Sequence, residues 1–131
     1  MRAASLCLAA LLLAGCAHAS PEVATVSMAR ITSNWPKFIN YNNQLTADAQ
    51  AIERSTASDA QKQRERDQLR QQYVQMQDEI TGDVRNAAAQ VAKDRNFKLV
   101  VTQEFSAYGG TDITPEVEKI LNITERATPS P

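Results

Sequence analysis

Between Leu69 and Val91 the apolar residues fall at Leu69, Tyr73, Met76, Ile80, Val84, Ala87 and Val91, in steps of four, three, four, four, three and four. Steps of that size keep side chains on one face of a long helix, whereas a strand alternates every second residue. Most positions between them are Gln, Arg, Asp, Glu or small, which leaves the opposite face solvated. Such a stripe needs a partner. Upstream, Ile31, Trp35, Phe38, Leu45, Ala49 and Ile52 follow the same spacing, with polar Asn42 and Thr56 at two further seam positions. The two stripes together predict a long antiparallel helical hairpin, a coiled-coil arm spanning 34–96. Its tip falls at Ser55 to Asp59, where apolar anchors are missing and either Ser58 or Asp59 caps the second helix. That helix, from about Ala60 to Arg95, is roughly 50 Å long at 1.5 Å per residue.

The arm is entered through Asn34-Trp35-Pro36, with Asn34 as the expected cap and Pro36 in the first turn, where its missing N–H costs nothing. Within the second helix, two successive steps of four around Ile80 make a stutter, and Gly82 lies inside it. Gly82 reads either as a tolerated surface glycine or as a bend in the arm.

Outside the arm the pattern changes. Val23 to Met28 is β-branched and uncharged and predicts a strand buried on both faces, followed by a helical turn over Ala29 to Ser33. Leu99-Val100-Val101, with Thr102 after it, predicts a second buried strand. Gln103 to Phe105 turns the chain, and Ser106 to Tyr108 is the expected third strand, ended by Gly109-Gly110. The last helix runs within Asp112 to Asn122, with Thr114 as cap, Pro115 at its first position and Ile113, Val117, Ile120 and Leu121 inward. The fold class is therefore α+β: a helical hairpin arm on a small three-strand β body with a short C-terminal helix. The expected layout is 23–124 as one domain, with body at 23–33 and 97–124, and a disordered tail over 125–131.

Composition adds little to the fold and more to the partners. The net charge is −1, with 22% charged and 43% hydrophobic residues. Phosphate binding needs a clear cationic excess, so nucleic acid is not expected as a partner. From Glu53 to Arg70 five basic residues stand against four acidic, and the Lys62 to Arg70 run alternates in sign, as on a solvated face.

Both cysteines, Cys7 and Cys16, and the single histidine, His18, lie in the first eighteen residues. The predicted domain therefore carries no thiolate or imidazole for metal binding or nucleophilic catalysis. Paired carboxylates facing an apolar pocket are not evident either, and Gly109-Gly110 lacks the Lys and Ser/Thr of a phosphate loop. Neither catalytic residues nor cofactors are expected, and the chain does not read as an enzyme.

The first residues read as an export signal: a positive start at Arg2, then the apolar run Leu6 to Ala14, too short to span a bilayer. Leu13-Ala14-Gly15-Cys16 resembles a bacterial lipobox, which makes 1–15 a lipoprotein signal and Cys16 the lipidated residue. Ala17-His18-Ala19 before Ser20 offers an ordinary cleavage site as the alternative. The lipobox is favoured because it abuts the apolar run. The linker 16–22 leaves six residues between Cys16 and the first strand, a reach of roughly 20 Å, so a lipid anchor would hold the body close to the membrane.

Without the arm, about 50 residues of strands and short helix remain, fewer than a single core normally needs. Their sheet edges are open. A homo-oligomer that pools the strands of several chains is the expected remedy.

The order strand, helical hairpin, two strands, terminal helix, in an exported chain, resembles the OmpH-like (Skp) family of periplasmic chaperones. The resemblance covers about Val23 to Asn122 and is carried by FKLVVTQEFSAYGGTDITPEVEKILN, Phe97 to Asn122, and more loosely by the opening VATVSMARI. It implies a homotrimer whose β body is completed by three chains, with arms enclosing a cavity that holds unfolded outer-membrane proteins in the periplasm without ATP. It implies no individual client-binding residue. Three features depart from the family: the arms look shorter, the chain is nearly neutral where family members are basic, and a lipid at Cys16 would tether it to the membrane. A structural coiled-coil lipoprotein, acting as spacer or scaffold, is the alternative expectation. Tyr73 and Met76 lie on the seam, so packing is expected of them before client contact, and Trp35 and Phe38 read as structural residues where arm meets body.

Overall fold

A strand of four residues, β1 (Val23–Val26), is hydrogen-bonded along both edges. The computed structural model describes residues 22–106 and 109–124. On one side β1 pairs in parallel with β2 (Leu99–Thr102), with Val23 opposite Leu99 and Val26 opposite Thr102. On the other it pairs in parallel with β3 (Thr111–Asp112), with Ala24 opposite Thr111. Parallel neighbours require long connections. Here the β1–β2 connection is made by three helices: α1 (Met28–Asn34), α2 (Pro36–Arg54) and α3 (Asp59–Asp94). A fourth, α4 (Thr114–Ile120), follows β3. The fold is thus mixed helix and strand.

Several local expectations are corrected. The first strand stops at Val26, because Ser27 turns to cap α1, its hydroxyl accepting from the Arg30 N–H. The third strand is Thr111–Asp112; Ser106 lies outside any strand, and Ala107 and Tyr108 lie outside the described residues. Gly109-Gly110 therefore leads into β3 and does not close a strand at Ser106 to Tyr108. Asn34 does not cap α2. Trp35 occupies that position without a side-chain bond, and the Asn34 amide donates back to the Arg30 carbonyl. Of the two candidate caps for α3, Ser58 fills the role, accepting from the Gln61 N–H. Thr114 is not a cap either: it opens α4, and its hydroxyl accepts from the Ser27 N–H at 2.9 Å while donating to Asp112 Oδ1. A side chain that competes for backbone groups is here used between segments 87 residues apart.

Both α3 and α4 end in the same way. Asn96 and Asn122 adopt positive φ (58° and 55°), Phe97 N–H reaches the Ala92 carbonyl, and Ile123 N–H reaches the Glu118 carbonyl. These are six-to-one closures that satisfy the orphan carbonyls, with an apolar residue folding back after each helix. Ile123 is buried as a result.

The core gathers Ala24 and Val26 of β1, Ile31, Trp35, Ile113, Val117, Ile123 and the α3 residues Met76, Ile80, Val84, Ala87, Ala88 and Val91. Ile31, Ile113 and Val117 are fully enclosed, each contributing on the order of 1.5–3 kcal/mol of apolar transfer. One stripe on α3 thus serves two partners in turn, with β2 and α4 touching α3 as well as α2. Across this core Arg30 grips the buried Glu118 carboxylate with two parallel bonds of 3.0 and 2.7 Å, tying α1 to α4. Such a bidentate pair fixes orientation as well as charge.

Two glycines have opposite expectations. At Gly110 φ is +95° and an added Cβ would stand 2.7 Å from Thr25 Cγ2, so Gly110→Ala is expected to cost about 1–3 kcal/mol. At Gly82 an added Cβ meets nothing within 4 Å and α3 runs through unbroken, so Gly82→Ala is expected to add about 0.5–1 kcal/mol. Urea unfolding of the two variants reads this as midpoint shifts of opposite sign. A Gly110→Ala chain as stable as its parent would refute the close approach of the β3 entry to β1.

Candidate functional site

Ion pairs set the relation of α2 to α3. Lys37, in the first turn of α2, bonds Asp83 at 2.7 Å and also Glu79. Seventeen residues or so along, Glu53 meets Arg66 at 3.0 Å. Pairing that climbs one helix as it descends the other makes the two helices antiparallel. Their connection is Ser55 to Ser58.

The seam between them is closed at one end and open at the other. Near the body, Trp35 and Met76 are buried, and Phe38, Tyr41 and Leu45 pack partly against the core. Beyond Met76, α3 buries no residue towards the tip, and α2 buries none at all. Leu45, Ala49, Ile52 and Leu69 stay half-buried, and Tyr73 is 45% exposed. Packing accounts for Met76, Trp35 and Phe38 as expected, whereas Tyr73 borders the seam only in part, with its hydroxyl accepting from the Gln77 amide. The physical cause is size: two helices share one seam with side chains too small or too polar, such as Ala49, to fill it.

Two different grooves result. One side of the pair is an apolar trough of about 380 Å³ between Leu45, Ala49, Ile52, Leu69 and Tyr73, crossed by the Glu53–Arg66 pair. The other side is lined by Gln44, Gln68, Gln72 and Gln75 around Leu45, Ile52, Leu69 and Met76, in two hollows of about 250 and 310 Å³ that share Gln72.

A third apolar cleft, of about 250 Å³, lies on the body between α3 and β2, lined by Val26, Met28, Val84, Ala88, Val100 and Val101. It adjoins the edge of β2 that β1 does not use. Leu99 at that strand's start is 53% exposed, and Phe105, in the single turn Gln103–Phe105 after it, is 90% exposed. An exposed aromatic ring in the turn that follows an edge strand with one unpaired side is the feature that interfaces cover.

Electrostatics are concentrated at the joints. Hydrogen bonds from Lys37 and Tyr41 hold the Glu79 carboxyl below its ordinary range, and the same contacts raise the Lys37 ammonium through Asp83 and Glu79. Lys37 also stands 5.7 Å above the Trp35 ring. Around β1 the Glu104 carboxyl is lowered, first by its own backbone N–H and then, against desolvation, by that of Ala29, which donates to it at 3.3 Å. Glu104 thereby supplies an anion at the N-terminal end of α1. Desolvation pushes the Asp112 carboxyl up, but the Thr114 hydroxyl and N–H, Gln103 and the charge of Arg30 outweigh it and hold it low. Asp112 is thus a turn residue serving Thr114.

Cys16, the expected lipidation residue, lies outside the described residues, as do the signal and the tail. Among the described residues no group of three or more His, Cys, Asp or Glu side chains is placed to hold a metal ion, and no helix is long and apolar enough to cross a membrane. Sequence periodicity did not reveal the open half of the seam or the exposure of Phe105. The recurring Gln at 68, 72 and 75 was the available sign of the polar groove. No protein-family model matches the chain, and no curated protein matches it.

A carboxyl whose folded pKa lies below its unfolded value stabilises the fold above the ordinary carboxylate range, and this is lost as pH falls through the folded value. Asp112, Glu104 and Glu79 are all of this kind. The urea midpoint is therefore expected to hold across neutral pH and to fall below about pH 4. Asp112→Asn should be less stable at neutral pH and show a shallower acid limb; an unchanged limb would remove Asp112 from the account.

Proposed function

We propose that this chain is an ATP-independent holdase of the periplasm that keeps unfolded outer-membrane proteins from aggregating, and that it works as a homotrimer. The observation that carries the reading is the arm: two long helices whose seam closes against the body and stays open beyond it, with Leu45, Ala49, Ile52 and Leu69 half-buried and Tyr73 exposed. Shallow, adaptable apolar surface without a deep pocket suits a partner that has no fixed shape. The resemblance of Phe97 to Asn122 to the OmpH-like family points the same way.

The trimer is supported by the exposed Phe105 and Leu99 and by the unused edge of β2. Heterologous contacts that put the Phe105 of one chain into the cleft beside β2 of the next form a closed ring when the rotation closes. The coiled-coil arms then project from one shared body. Lipidation at Cys16 would keep the assembly at the membrane, within the roughly 20 Å reach of its linker.

A structural coiled-coil lipoprotein is the second reading. It is favoured by the unbroken 36-residue α3, about 54 Å long, with its solvated outer face. The two readings part on a simple assay. The full chain carrying Cys16→Ser is added at rising ratio while a denatured outer-membrane β-barrel is diluted from urea, and light scattering is followed. The holdase reading expects scattering to fall and to saturate near about three chains per client. A folded, oligomeric protein that leaves scattering unchanged would turn the balance to the spacer.

The oligomer has its own test. Phe105→Ser is expected to shift the mass in solution from trimer to monomer at micromolar concentration while the helical signal is kept. A wild-type chain that is monomeric at that concentration would overturn the shared body.

A further inference from the structure

Two groups stand out among the glutamines of the arm, and Gln71 and Gln90 belong to neither. Near the tip and on the outer faces, Gln61 bonds Glu65, Gln63 bonds Asp67, Gln50 accepts from Arg54 and Gln77 bonds Tyr73, all within their own helix. Gln44, Gln68, Gln72 and Gln75 form no such pair among the described residues, and all four are exposed along one side of the arm. They rim the two hollows that share Gln72, over a floor of Leu45, Leu69 and Met76.

We propose that this track binds the main chain of an extended, unfolded polypeptide segment. The inference rests on the holdase reading and names what that reading leaves open, namely how a sequence-tolerant client is held. From Glu65 to Glu79 the track is about 21 Å long at the helical rise, which accommodates about six residues of extended chain. Each side-chain amide offers both donors and an acceptor, the same pair that every residue of a peptide presents. Gln68 and Gln72 are four residues apart and so about 6 Å apart along α3. The groups on one edge of an extended chain repeat at roughly 6.6–6.8 Å, a difference that flexible glutamines absorb. The apolar floor takes one row of side chains while the rim takes the backbone.

Charge narrows the occupant. Asp48 and Glu65 border the distal hollow and Glu79, already engaged by Lys37, ends the proximal one. An acidic segment is disfavoured; an uncharged or basic one fits.

The test uses the full chain with Cys16→Ser and a fluorescent, uncharged peptide of about ten alternating Val and Ser residues, longer than the track. A second peptide is N-methylated at every other residue, which removes main-chain donors and leaves side chains alone. The N-methylated peptide and the variant Gln68→Ala/Gln72→Ala/Gln75→Ala are each expected to weaken binding about tenfold or more. All three positions are exposed, so the variant should melt with the parent; Gln61→Ala/Gln63→Ala, at the self-paired positions, serves as the control with unchanged affinity. Equal binding of both peptides, or a triple variant within about twofold of the parent, overturns the track. So does a triple variant whose defect is in oligomeric mass, since the occupant is then a second copy, and so does preferential binding of a chito-oligosaccharide, since the amides then serve a glycan. N-methyl-sensitive peptide binding by a chain that fails to hold a denatured β-barrel keeps the track and removes the holdase. Suppressed barrel aggregation with no loss in the triple variant keeps the holdase and removes the track.

Discussion

Both edges of β1 are occupied by segments from the far end of the chain. Val23 to Val26 is only four residues, yet it receives β2 on one side and β3 on the other. The Ser27 N–H then reaches the buried Thr114 hydroxyl, and Ile113 N–H reaches the Thr25 carbonyl. Every one of these bonds spans more than 70 residues, so each closes a loop that contains the whole helical excursion between β1 and β2. Closing so long a loop costs entropy that local contacts cannot return. The return comes from the side chains that the closure encloses: Ile31, Ile113 and Val117 are sealed only when α1, β1 and α4 meet. The close approach at Gly110 and the Arg30–Glu118 clamp follow from the same geometry.

That constraint divides the helices. α3 is one continuous element, but its last five turns or so belong to the core and its first five or so do not. Lys37, Tyr41, Glu79 and Asp83 mark the boundary: an ammonium between two carboxylates beside the buried Trp35 fixes where α2 leaves the body. Past it, the pair of helices is held by a partly filled seam, a bond from the Lys62 ammonium to the Glu53 carbonyl at 3.1 Å and an exposed ion pair, Glu53–Arg66, which is worth little in water. Local opening free energy falls along the arm with its buried contacts. On the proposed function that gradient suits a surface that adapts to unfolded chains, with rigidity at the root and compliance towards the tip.

The helices were legible because their apolar spacing is long and regular. Leu69 to Val91 names its own period, and Ser58 and Pro36 mark two of the starts. The sheet was legible only in part. Leu99 to Thr102 reads as a strand from its β-branched run, but Thr111-Asp112 has no alternation, and it is a strand only because Gly110 lets the chain lie against Thr25. The Ser-Ala-Tyr stretch before it has better local strand chemistry and was expected in its place. Thr114 looked like a cap because Thr before Pro usually is one; its distant partner, Ser27, cannot be read from spacing. Parallel pairing on both sides of β1 likewise has no local signature. The open seam was hidden for a different reason. Periodicity tells which side chains face a partner helix, but whether they fill the space depends on their volumes and on how far the root holds the helices apart.

Charge ties these observations together. Part of the chain's charge is used on itself: Lys37 with Glu79 and Asp83, Arg66 with Glu53, Arg95 with Glu116, Lys98 with Glu22, Arg30 with Glu118. With a net charge of −1, little long-range field remains to draw a charged partner. A strongly basic protein can recruit acidic segments at a distance; a nearly neutral one relies on contacts made at short range. The two faces of the arm offer the two kinds that work without charge, apolar burial beside Tyr73 and amide hydrogen bonding beside Gln72. Both are weak per residue and indifferent to sequence, and both are present in any unfolded chain. On the proposed function, retention therefore comes from many such contacts on three arms acting together, since linked weak sites hold by effective concentration where each alone would release.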